Sequence, residues 1–90
     1  KAIIVDVRET DELKNGMVKD AMIMPLSLIN TDAFEEVVRS LPSDKDLIIY
    51  CRSGRRSNVM GIELEKRGYQ VWNMGAYNAW RDAGLPVVIP

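Results

Sequence analysis

Residues 50 to 57 read Tyr-Cys-Arg-Ser-Gly-Arg-Arg-Ser, and the only cysteine of the chain, Cys51, sits there among three arginines at the end of an apolar run. A cysteine attacks as its thiolate, and neighbouring guanidiniums favour that form by depressing the thiol's pKa. The same guanidiniums match planar or tetrahedral oxyanions through paired N–H donors. Arg52, Arg55 and Arg56 around Cys51 therefore point to a nucleophilic sulfur working on a small anion. Ser53 and Ser57 add hydroxyls that can cap a helix or donate to a substrate, and the loop through Gly54 offers backbone N–H groups for the same purpose. The bland alternative is a buried free cysteine acting as a small hydrophobe beside solvated arginines.

Two elements have to place that sulfur. Asp46 to Tyr50 (DLIIY) has the continuous apolar character of a fully buried strand, with Cys51 as its last residue or the first of the following loop. A helix is predicted from about Arg56 to Arg67, with Val59, Met60, Ile62 and Leu64 available to the core and Gly68 as its stop. A strand end followed by a helix start lets loop amides and the positive end of the helix dipole converge on one point. Cations at a helix N-terminus are unfavourable by roughly 0.3–1 kcal/mol each. Arg55 and Arg56 break that local rule, and such violations tend to mark function.

The rest of the chain alternates strands with helices. Ala2 to Val7 is a β-rich run, Glu9 to Lys14 a short helix closed by Asn15-Gly16, and Ala21 to Met24 a short run stopped by Pro25. Thr31 or Asp32 can cap a helix whose Phe34, Val37, Val38 and Leu41 recur at helical spacing before Pro42. Tyr69 to Trp72 reads as a last strand, and Ala76, Ala79 and Trp80 as a helical turn or two before Leu85-Pro86. Strands separated by helices imply crossover connections, hence an α/β three-layer domain with a central, mostly parallel sheet and helices on both faces. Ligands of such sheets bind beyond the carboxyl ends of the strands, where Cys51 lies.

Composition narrows the function classes. Ninety residues suffice for one domain, and no apolar stretch is long enough to cross a bilayer. With 12 Lys+Arg against 13 Asp+Glu, a net charge of −1 gives no global attraction for nucleic acid, so anion binding has to be local. The chain has no histidine and one cysteine, so neither an internal disulfide nor the usual Cys/His zinc sets can form; no cofactor or metal is expected. No charged leader with an apolar core opens the sequence, which points to the cytoplasm, the periplasm remaining open if a leader was removed.

Three segments in order resemble the single-domain rhodanese family. They are Ile4-Val5-Asp6-Val7-Arg8-Glu9 with Glu12-Leu13 and Gly16, the loop Cys51 to Ser57, and Gly75 to Val87 (GAYNAWRDAGLPV). The resemblance implies a parallel sheet with helices on both sides and a loop whose amides curl toward Cys51. It also implies an activity: a small anionic donor such as thiosulfate gives sulfur to Cys51, and the persulfide passes it to cyanide, a thiol or a protein acceptor. Arg52, Ser53, Gly54, Arg55, Arg56 and Ser57 would bind the donor through amides and guanidiniums, without metal or cofactor. The chain departs from the family at Met17, where a histidine is usual, and at Met74, where a glycine is usual. It also begins after the family's usual first strand and helix, so residues 1–90 are expected to form one rhodanese-like domain lacking them. Cysteine-loop phosphatases and arsenate reductases typically carry an arginine six residues after the cysteine; that position is Ser57. A non-catalytic docking or regulatory module is the alternative from another class.

Other residues are read as structural. Asp6 and Arg8 are expected to pair or to bond loop backbone, and Trp72 and Trp80 to lie in the core. Met17, Met22, Met24, Met60 and Met74 are expected to fill core gaps or the rim. Glu63, Glu65, Lys66 and Arg67 form a solvated helix face.

Overall fold

The computed structural model describes residues 2–89. A four-stranded parallel sheet runs in the order β3-β1-β4-β5, with β1 at Ile3–Asp6, β3 at Met22–Ile23, β4 at Leu47–Cys51 and β5 at Val71–Ala76. The predicted crossovers are present: α1 (Phe34–Arg39) links β3 to β4, and α2 (Arg55–Glu65) links β4 to β5. A third helix, α3 (Tyr77–Asp82), follows β5 directly.

Strand alternation divides the core in two. Val5, Val7, Leu47, Ile49 and Cys51 face α1 and α2, packing with Phe34, Val38, Leu41, Met60 and Leu64. On the opposite face Tyr50 packs with Val18 and Tyr77, against Ile4, Met74 and Trp80. Helices thus cover both faces, as an α/β three-layer fold requires. Met24 and Met60 are fully buried gap-fillers, in line with the sequence reading.

Several details differ from expectation. α1 has Ala33, not Thr31 or Asp32, before its first residue, because the Thr31 hydroxyl donates to the Leu28 carbonyl instead. α2 buries Ser57, Met60, Gly61 and Leu64, whereas Val59 and Ile62 are 45% and 47% exposed. Small residues take the sheet-facing positions because the helix lies close: a Cβ at Gly61 would stand 3.2 Å from Ile49 Cδ1 and 3.3 Å from Val71 Cγ1. β5 extends past Trp72 to Ala76, and Trp72 on this edge strand is 57% exposed, not in the core. Trp80 is half-buried, its indole N–H donating to the Pro86 carbonyl at 3.0 Å. An antiparallel pair, β2 (Met17–Val18) with β6 (Val87–Val88), ties the C-terminal segment to the loop after β1. Among the described residues no helix is long and apolar enough to cross a membrane.

Candidate active site around Cys51

Cys51 is the last residue of β4, paired with Ala76 of β5 and without exposed surface. The register between these strands shifts by one at Ile49/Tyr50, where Asn73 and Gly75 face successive residues and Met74 is the extra one. Such a bulge re-aims side chains near a strand end. It turns Asn73 toward the loop that follows Cys51.

That loop closes on the sulfur. Gly54 adopts φ +94°, in the left-handed region, and its backbone N–H donates to Cys51 Sγ at 2.9 Å. A Cβ at Gly54 would also stand 3.3 Å from Gly75 Cα, so both backbone angle and space call for glycine. Burial pushes the Cys51 thiol up. The Ser57 hydroxyl and the amides of Ser57, Ser53 and Gly54 outweigh it and hold the thiol below its ordinary range. Ser57 is buried, at the first turn of α2, with Oγ 3.6 Å from Sγ.

The three arginines divide into two roles. Arg52 and Arg55 are exposed beside Ser53 at the mouth of the loop. Arg56 is half-buried and gripped by Glu12 through both guanidinium nitrogens, Nη2 lying 2.7 Å from Oε2 and Nη1 bonding Oε1. This bond holds the Glu12 carboxyl down at about 2 and raises Arg56 further. The guanidinium expected to contact substrate is therefore committed to a carboxylate, which explains how a cation tolerates the first turn of α2. Glu12 was legible only as a residue of the N-terminal motif; its partner lies 44 residues away in sequence.

A buried polar cluster supports the turn that carries Glu12. Arg8 is 5% exposed and bonds Asp6 at 2.8–3.2 Å through Nε and Nη2, while Nη2 also donates to the Gly16 carbonyl at 2.8 Å. The guanidinium lies 4.2 Å above the Tyr77 ring. The Tyr50 hydroxyl donates to Asp6 Oδ2 and accepts the Val18 N–H at 3.0 Å. Asp6 and Arg8 are the structural pair anticipated, fastening the 3-10 turn Thr10–Asn15 beneath the Cys51 loop. Between this turn and α3 lies an open cleft of about 350 Å³, lined in part by Glu12, Lys14, Arg52, Tyr77 and Arg81.

Residues 1–83 match the Rhodanese-like domain family. A sulfurtransferase of Allochromatium vinosum is 40% identical over 90 residues, covering 98% of this chain and 79% of that protein. Thiosulfate sulfurtransferase 18 of Arabidopsis thaliana is 36% identical, covering 92% of this chain and 69% of that protein. The crystal structure of a rhodanese-related protein from Thermoplasma volcanium superposes with a TM-score of 0.84 at 27% identity, over 99% of this chain and 85% of that one. A parallel sheet ending in a cysteine-bearing, amide-lined loop accords with these matches, and the chain belongs to the Rhodanese-like domain family.

Proposed function

We propose that this domain is a sulfurtransferase that carries a sulfane sulfur on Cys51. The observation that carries the proposal is the convergence of the Gly54 N–H, at 2.9 Å, and the neighbouring amides on a thiol held below its ordinary range. The sulfurtransferase names of its relatives support the same class of reaction. With thiosulfate as donor, the Cys51 thiolate attacks the outer sulfur, the donor's S–S bond breaks, and sulfite leaves with the electron pair. The loop amides then face the terminal sulfur of the persulfide anion. A thiophilic acceptor such as cyanide, a thiol or a protein thiol attacks that sulfur and regenerates the thiolate, so no net redox partner is needed.

Arg52 and Arg55, exposed at the loop mouth, are the guanidiniums available to draw in a dianionic donor. Arg56, Ser53, Gly54 and Ser57 shape and polarise the loop around it. Cys51 has no exposed surface, so the donor reaches Sγ when the exposed segment Arg52-Ser53 yields. The test is thiocyanate production from thiosulfate and cyanide by wild type and Cys51→Ser, with intact mass before and after thiosulfate. A gain of about 32 Da on the wild type alone, with turnover, is expected. A folded wild type with neither adduct nor turnover would overturn the proposal in favour of a docking role or phosphatase-like chemistry.

A further inference from the structure

Ser57 has one hydroxyl proton and three neighbours able to accept it. Its Oγ lies 2.7 Å from Asn73 Oδ1, 3.0 Å from the Gly54 carbonyl and 3.6 Å from Cys51 Sγ. The Asn73 amide is not free to flip. The Gly75 backbone N–H, which can only donate, lies 2.8 Å from Oδ1 and identifies that atom as the carbonyl oxygen. Nδ2 is then left to donate to the Gly54 carbonyl at 3.3 Å.

With Gly54 served by Asn73, the shortest contact takes the Ser57 proton to Asn73 Oδ1 and leaves a Ser57 lone pair facing the sulfur. This pattern suits a protonated Cys51, whose S–H donates to Ser57 Oγ. A thiolate has no proton to give and needs a donor. On ionisation the sulfur keeps the Gly54 amide as a donor, and gaining the Ser57 hydroxyl as a further one leaves two oxygens 2.7 Å apart with no proton between them.

We infer that Asn73 is a positioning residue for Cys51, competing with the sulfur for the Ser57 hydroxyl proton and so setting how readily the sulfur becomes an anion. It acts through Ser57 and has no contact with the sulfur itself. The competition belongs to the thiol; only its consequence, control of nucleophile supply, rests on the sulfurtransferase reading. The charged groups around the sulfur are Arg52 and Arg55 at the loop, Arg56 on α2, and Glu12 bound to Arg56. None of them bonds Asn73, so Asn73→Ala leaves that set in place, whereas Asn73→Asp adds a carboxylate that repels the thiolate directly.

Because the chain has one cysteine, alkylation reports on Cys51 alone. The experiment is the pH dependence of iodoacetamide alkylation, read by intact mass, in Asn73→Ala and Asn73→Asp, each with and without Ser57→Ala, with circular dichroism to confirm folding. Asn73→Ala is expected to lower the midpoint, so that alkylation below the wild-type midpoint is several-fold faster. Asn73→Asp, isosteric and a stronger acceptor, is expected to raise it. The Asn73→Ala shift should fall by more than half in the Ser57→Ala background, whereas the Asn73→Asp shift should keep its direct Coulombic part there. An Asn73→Ala shift of equal size with and without Ser57, no shift, or a rise would overturn the inference. Should Asn73→Ala fail to fold, Asn73→Leu, near-isosteric, uncharged and without an acceptor, decides by the same criterion. Alkylation needs no sulfur donor: the expected profiles without a thiosulfate adduct would sink the sulfurtransferase proposal and leave the role of Asn73 standing.

Discussion

Glu12 and Arg56, 44 residues apart in sequence, form a two-point ion pair that joins the turn after β1 to the first turn of α2. The Glu12 carboxyl is held down at about 2 by that bond, against an ordinary value of 4.5. A depressed carboxyl contributes stability that is present above its unfolded pKa and is lost as pH falls through its folded one. The pair's contribution is therefore expected to disappear between about pH 4.5 and about pH 2. Glu12→Gln should lower stability by about 1 kcal/mol at pH 7, with the difference from wild type shrinking across that window. Urea unfolding at several pH values checks this; a constant difference down to pH 2 would refute it.

The arginines should separate kinetically. Arg52→Ala and Arg55→Ala are expected to raise KM for thiosulfate several-fold with little change in melting temperature, because both side chains are exposed. Arg56→Ala is expected to lower kcat and stability together, since it strands Glu12 and loosens the loop. Equal effects of all three on KM alone would contradict this division.

Cys51 should ionise below the ordinary thiol range, because donated hydrogen bonds outweigh burial. The rate of sulfur loading is expected to climb about tenfold per pH unit on the acid side, as the thiolate fraction grows, and to level off before free cysteine would. Stopped-time mass spectrometry across pH reads the midpoint. A midpoint at or above that of a free thiol would rule the account out.

Gly54→Ala combines a left-handed backbone, φ +94°, with a contact of 3.3 Å to Gly75 Cα. The first effect alone is about 1–2 kcal/mol. The displaced loop should also carry the Gly54 N–H away from the sulfur. Both a lower unfolding midpoint and a raised Cys51 alkylation midpoint are expected; a change in stability with an unmoved alkylation profile would show that this amide does not tune the thiol.

Asp6→Asn removes the counter-charge of Arg8, which is 5% exposed and bonded to both carboxylate oxygens. Leaving a buried guanidinium uncompensated is expected to destabilise the domain by about 3 kcal/mol, measured by urea unfolding. A loss under about 1 kcal/mol, typical of a surface pair, would show that the Tyr77 ring and the Gly16 carbonyl suffice for Arg8.

Features whose determinants are contiguous are legible in the chain itself. The apolar run into Cys51, the arginines after it and the glycine of the loop adjoin one another, so the Cys51 loop, its flanking strand and the following helix are readable from spacing. Alternating strand and helix patterns likewise implied the parallel sheet. What depends on residues distant in sequence emerges only on folding. Arg56 reads as a free cation until folding brings Glu12 to it, and Asn73 carries no sequence signal until a bulge turns it toward Ser57, 16 residues earlier. The buried face of α2 is not legible from hydropathy, which ranks Val59 and Ile62 above Ser57 and Gly61. Close approach to the sheet favours the small residues instead. Trp72 departs from expectation for a related reason: an aromatic residue suggests a core, but strand order puts β5 at the edge, and only the assembled sheet defines an edge.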